Sequence, residues 1–259
     1  MNMKNLVFFI AAFVSFAKFS YGVDAWQEYH TSHFLIYYKD APRDFVKNVE
    51  KAAEADYEEI TRNLGFYRDQ SWSWEKRAKI YIYRDSQDYT ASAKQASWTH
   101  GVADWLKKEI RAYPSTAGFF DSLLPHELGH IIFREFVGSN PFVPLWFDEG
   151  VAVCQEKARG WGSNNEVKRA IEEKKFIPLR ELSSMRLYNN TEKDMINLFY
   201  AEAASIVYYL IVELGEFKFI DFCRKLKEGE RFEAALNATY VQFKNLDDLN
   251  NAWVEHLKR

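Results

Sequence analysis

The chain has almost no cysteine: Cys154 and Cys223 are the only two in 259 residues. A disulfide-stapled framework is excluded, because such frameworks need several bridges. Spacing alone leaves one bridge open beside the alternative of two buried free thiols. Neither cysteine has metal-binding partners near it in sequence, so neither is assigned to a metal. An excess of basic charge is also missing, since the net charge is −3 and the pI about 6.1. That removes nucleic acid as an expected partner. Low-complexity runs and internal repeats are absent too, which excludes repeat architectures.

The N-terminal apolar run, Leu6 to Ala17, is too short to span a bilayer comfortably. Lys4 precedes it, and Ser20-Tyr21-Gly22 places small residues at the −3 and −1 positions. The reading is a signal peptide over residues 1–22, cleaved before Val23. It implies a periplasmic or secreted protein with no stable membrane span after cleavage. The alternative is an uncleaved anchor, in which Phe19 and Tyr21 extend the apolar stretch past Lys18. No cysteine lies near the segment, so a bacterial lipid anchor is not expected.

What is present is a hydrophobic content of 47%, ample for a packed core, and one compact constellation. Residues 126 to 130 read His-Glu-Leu-Gly-His, and Glu149 follows in Trp-Phe-Asp-Glu-Gly. On a helix, His126 and His130 stack on one face. Two imidazoles so placed grip one metal ion and leave coordination positions free. Glu127 lies about 100° around the helix, at the edge of the site, where a carboxylate takes a proton from water. Three ligands, His126, His130 and Glu149, leave a fourth position open, the pattern of a catalytic rather than a structural zinc site. Glu149 could instead favour its helix dipole, but Asp148 fits that capping role better. Glu156 lies two turns after Glu149 on the same face. It is counted with the metal-binding set as the acceptor of a ligand histidine's Nδ1–H, beside the alternative of a solvated helix glutamate. Asp121 reads as the N-cap of the metal-site helix and Gly138 as its stop. Gly129 weakens that helix, which implies that something packs closely there.

The HELGH sequence with Glu149 in WFDEG resembles the gluzincin branch of the zinc metallopeptidases. Size and layout are similar to the compact peptidase-MA-like proteins of bacteria. The likeness covers organisation from Phe34 to the C-terminus, and its specific part is residues 126–156 and, more weakly, 199–215. It implies one zinc ion and a peptide or protein substrate. It also implies a role for Tyr200, in Phe199-Tyr-Ala-Glu-Ala-Ala-Ser: a phenol facing the metal and stabilising the tetrahedral intermediate. The chain has fifteen tyrosines, and Tyr208 and Tyr209 lie on the same helix. Aminopeptidases of the branch carry an upstream Gly-x-Met-Glu-Asn segment, absent here between His100 and Phe120. An endopeptidase is the more consistent expectation. The second function hypothesis is a non-catalytic zincin-like module that binds a partner in the envelope or outside the cell.

Periodicity places strands at Phe34–Tyr38, Lys79–Tyr83, Gly101–Trp105 and Glu109–Tyr113, the last two joined at Lys107-Lys108. Helical spacing runs from Phe45 to Leu64, with Gly65 as its stop, and over Ser86–Ala96. After Phe147 helices are expected at Trp146–Ala158, Asn164–Lys175, Leu198–Leu214, Glu216–Lys227 and Leu246–Leu257. The expected fold is α+β and zincin-like. A small mixed sheet with its helices fills 23–140, and a helical lobe with the third ligand fills 141–259. By the resemblance, Glu109–Tyr113 would be the edge strand that reads a substrate's backbone.

Overall fold

The computed structural model describes residues 25–66, 72, 74–93, 101–114, 118–157, 164–188 and 190–259. The expected signal segment lies outside them, as does the expected helix end at Ala96, whereas the helix expected to run to Ala158 already ends at Val153. The architecture is α+β, with a mixed sheet followed by a helical C-terminal part.

Five strands form the sheet among the described residues: β1 (Gln27–His30), β2 (Phe34–Tyr38), β3 (Ala78–Ile82), β4 (Gly101–Asp104) and β5 (Glu109–Ala112). Their order is β1-β2-β3-β5-β4. The β2–β3 and β3–β5 pairs are parallel, and β1 and β4 flank them antiparallel. Period-two alternation sends Phe34, Ile36, Ile80, Ile82, Ile110 and Ala112 to one face, where all are fully buried. This order corrects one expectation. Glu109–Ala112 is an inner strand, and the edge is β4. The reason is that β5 takes β3 as a second partner, from Lys79↔Glu109 to Ile82↔Ala112.

The helix α1 (Arg43–Asn63) packs beneath this face through Val46, Val49, Ala53, Tyr57 and Ile60, spaced three and four apart. Gly65, at φ +63°, follows its C-cap. The short α2 (Ser86–Ala93) follows β3. Next come α3 (Leu124–Val137) and α4 (Leu145–Val153). The remaining helices are α5 (Asn164–Glu172), α6 (Leu179–Ser184), α7 (Lys193–Tyr208), α8 (Glu216–Lys227), α9 (Phe232–Thr239) and α10 (Leu246–Leu257). One buried cluster runs from Phe34 to Leu257, and a second, smaller one joins Tyr89 of α2 to Tyr83 and Tyr113.

Asp121 does not cap α3. A wide π-type turn over Phe119–Leu123 leads straight into the helix, and the chain enters that turn from Gly118 at φ 71°. Gly138, at φ 80°, closes α3 with its N–H on the Arg134 carbonyl.

Two glycines let three helices approach unusually closely. A Cβ on Gly129 of α3 would sit 3.0 Å from the Ala152 Cα of α4. A Cβ on Gly150 of α4 would sit 2.3 Å from the Ala203 carbonyl oxygen of α7. So α4 is held between α3 and α7 at near-backbone contact. The obstacle at Gly150 is backbone and cannot rotate away. Gly150→Ala should therefore force the helices apart at a cost of about 1–3 kcal/mol or more. The melting temperature should fall by roughly 2–12 °C for a domain of this size. Thermal melts of the two proteins check this, and equal midpoints would refute the close-contact account.

From Lys193 to Glu213 the chain is apolar enough to cross a membrane, but 67% of its most apolar stretch is buried inside the fold. Its hydropathy follows from its place against α4. Cys154 and Cys223 are both free and buried, and the Cys154 thiol donates to the Ala204 carbonyl at 3.4 Å.

Candidate metal centre

The α3–α4 contact brings the expected ligands together. His126 and His130 project one turn apart from α3, and Glu149 projects from α4 towards both. The two Nε2 atoms are 3.2 Å apart, and Glu149 Oε2 lies 3.5 Å from each. Donor atoms at zinc–ligand distances of about 2.0–2.1 Å around a tetrahedral ion are about 3.3–3.4 Å from one another. The three separations fit that spacing, and this trio could hold one metal ion.

Both imidazoles are fixed from behind. The Nδ1 of His126 is 2.9 Å from Glu156 Oε1. The Nδ1 of His130 is 3.1 Å from Asp148 Oδ1. A proton shared at each Nδ1 leaves each Nε2 lone pair directed inward. Asp148 is thus the partner of a candidate ligand histidine as well as the acid in the first turn of α4 that the sequence suggested. The N-cap of α4 is Pro144, with no side-chain hydrogen bond. The second oxygen of Asp148 accepts from Arg134, Nε at 2.8 Å and Nη2 at 2.7 Å. Sequence reasoning missed Arg134. Its signal was the spacing of four after His130, which puts a cation on the face of the histidines.

The site's electrostatics favour a cation. Burial disfavours charge on His126, yet Glu149 and Glu156 outweigh it and raise its pKa to about 9. Burial likewise opposes charge on His130, and Glu149 and Asp148 override it, moving the pKa well up. Burial also works against the Glu149 carboxylate, but the two imidazoles hold its pKa far below the usual range. Asp148 is lowered too, where hydrogen bonds from His130 and Arg134 overcome burial. A field that draws protons onto imidazoles also favours a divalent ion in their place.

Glu127 lies in the same cleft, of about 330 Å³, bounded by Gly101–Ala103, Trp105, the three ligand candidates and Tyr200. Burial raises its pKa, while both imidazoles and a hydrogen bond from the Ala103 backbone N–H work the other way. The β4 edge therefore faces the site directly. Its hairpin is tied to α3 at Glu135, which accepts from Trp72 Nε1 at 2.7 Å and pairs with Lys108 Nζ at 2.6 Å. Tyr200 arrives from α7, close to one turn before Ala203, with its ring centroid 6.5 Å from that of His126.

A His-Glu-x-x-His helix, a carboxylate from the next helix and a cleft along a sheet edge are the layout of a metal-dependent peptidase. The family model of the peptidase MA superfamily matches residues 66–259, and the chain belongs to that superfamily. No curated protein matches it.

Proposed function

We propose that the chain is an exported zinc-dependent endopeptidase. The observation that supports it most is the convergence of His126, His130 and Glu149 at 3.2–3.5 Å in a cleft that also holds Glu127. Those three residues would hold the ion. When bound, zinc supplies Lewis acidity, lowering the pKa of water and polarising a carbonyl.

The remaining work falls to the protein's own groups. Glu127 accepts the proton of the attacking water and returns it to the departing amine. Its burial favours the uncharged form, which suits a carboxylate that must hold that proton between the two steps. Tyr200 donates a hydrogen bond to the oxygen that becomes negative, without bringing a charge of its own. The backbone of β4 offers an extended peptide one more strand partner beside the metal centre. The sequence suggested residues 109–113 for this duty; because β4 is the edge strand, we assign it to Gly101–Asp104 instead.

Purified mature protein should contain about one equivalent of zinc, by the three-ligand pattern. It should cleave a peptide library only in the absence of chelator, and its N-terminus should be Val23. Tyr200→Phe should lower kcat with KM and zinc content nearly unchanged. Full hydrolysis by metal-free protein would end this reading.

A further inference from the structure

The cleft face of α3 repeats every fourth residue, as His126, His130 and then Arg134. Arg134 reaches across to α4 and donates from Nε at 2.8 Å and Nη2 at 2.7 Å to Asp148 Oδ2. The other oxygen of the same carboxylate holds His130 Nδ1 at 3.1 Å. We propose that Arg134 is a positioning residue for the metal ligands, clamping Asp148 so that His130 keeps its Nε2 turned inward. The inference rests on the metal-site reading above and adds a residue to it.

Three features support a clamp rather than a surface ion pair. First, the Arg134 and Asp148 side chains are each only 15% exposed. An exposed pair is worth little, but here water competes poorly for either partner. Second, two N–H groups converge on one oxygen. A rotation of the carboxylate that released His130 would break both of those bonds as well. A lysine, a point charge on a flexible stem, would not fix the rotation in that way. Third, the contacts form a closed ring. His130 and Arg134 lie one turn apart on α3, and both end on Asp148 of α4. Two attachment points on one helix resist rotation of the other. Because Glu149 follows Asp148 directly in the chain, any rotation of α4 would move a ligand too.

Partners that orient metal-bound histidines typically change metal affinity by 10–100-fold when lost. Arg134 acts one contact further out, so the low end, about tenfold, is expected. The test is a mutant cycle on the full chain. The zinc Kd is measured by competition with a chromophoric chelator for the parent, Arg134→Met, Asp148→Asn and the double variant. Arg134→Met should weaken zinc about tenfold in the parent, and by less than about twofold once Asp148 is Asn, because its route is gone. A merely structural role would lower the melting temperature and add to the Asp148→Asn loss. Additive losses, or an unchanged zinc Kd in folded Arg134→Met, would overturn the proposal. If circular dichroism shows Arg134→Met unfolded, Arg134→Gln takes its place in the cycle with the same criteria. A parent that binds no zinc would strike the metal-site reading itself, which separates the two failures.

Discussion

Glu127→Gln should keep its zinc and slow peptide hydrolysis on the order of 10²–10⁴-fold. Glutamine has nearly the shape of glutamate, and its carbonyl oxygen can still accept the Ala103 N–H. It cannot take a proton. The substitution thus leaves the proposed ligand set, His126, His130 and Glu149, untouched and removes only the proposed base. Zinc content and turnover measured on one preparation separate these effects. Unchanged turnover in the zinc-loaded variant would remove Glu127 from the reaction. The same measurement distinguishes a peptidase from a zincin-like binding module, which has no use for a base beside the metal.

A second large effect should appear in stability against pH. Glu202, on α7, is fully buried. One oxygen accepts the Ile177 N–H at 2.9 Å, and the other has no hydrogen-bond partner among the described residues. Burial pushes its pKa to about 8, against the help of the Ile177 N–H and with a small push from Glu181. In the unfolded chain the group has its ordinary value of 4.5. Below that value both states are protonated, and the contribution to stability is fully present. As pH rises towards 8, the folded state must hold a proton that the unfolded state has released. Stability should fall by about 1.4 kcal/mol per pH unit over that interval, a few kcal/mol in all. Glu202→Gln keeps an acceptor for Ile177 and removes the titration. Urea unfolding at pH 5, 7 and 8.5 should show the parent losing stability relative to the variant. Parallel pH profiles for the two proteins would count against the buried, neutral acid.

The longer helices were legible because they bury a stripe at the helical period. Val46 to Ile60 on α1 and Leu128 to Phe133 on α3 are examples. The metal-site residues were legible because two histidines four apart need no tertiary information to meet. What was lost depends on partners remote in sequence. The β4–β5 hairpin could be read, but not which of its strands would pair with β3. The weak clue was composition: β5 has fully buried Ile110 and Ala112, whereas all of β4 is half-buried. Strand β1, Gln-Glu-Tyr-His, has too little apolar pattern to announce itself, and its pairing comes from β2. The helices α6 and α9 are six and eight residues long, too short for a clear period. Asp148 was read only as a first-turn acid, because its neighbours in sequence describe a helix start. Its actual partners, His130 and Arg134, lie on another helix.

The two edges of the sheet face opposite demands. An open edge offers hydrogen bonds to any extended chain, including a second copy of the same protein. At one edge, β1 has four residues, three of them exposed, and Glu28 and His30 pair there at 2.7 Å. A stray strand docking on it would have to strip water from those polar groups, which guards against aggregation. At the other edge, β4 is in the wall of the cleft opposite α3, with no further strand beside it among the described residues, and on the proposed reading an open edge there is an asset. A polypeptide can use it only by presenting a single extended segment, freed from its own helices and sheets. On the proposed reading, the free energy needed to loosen that segment selects the substrate as much as its side chains do. Flexible tails and partly unfolded proteins would be cut first, and well-folded neighbours in the same compartment would be spared.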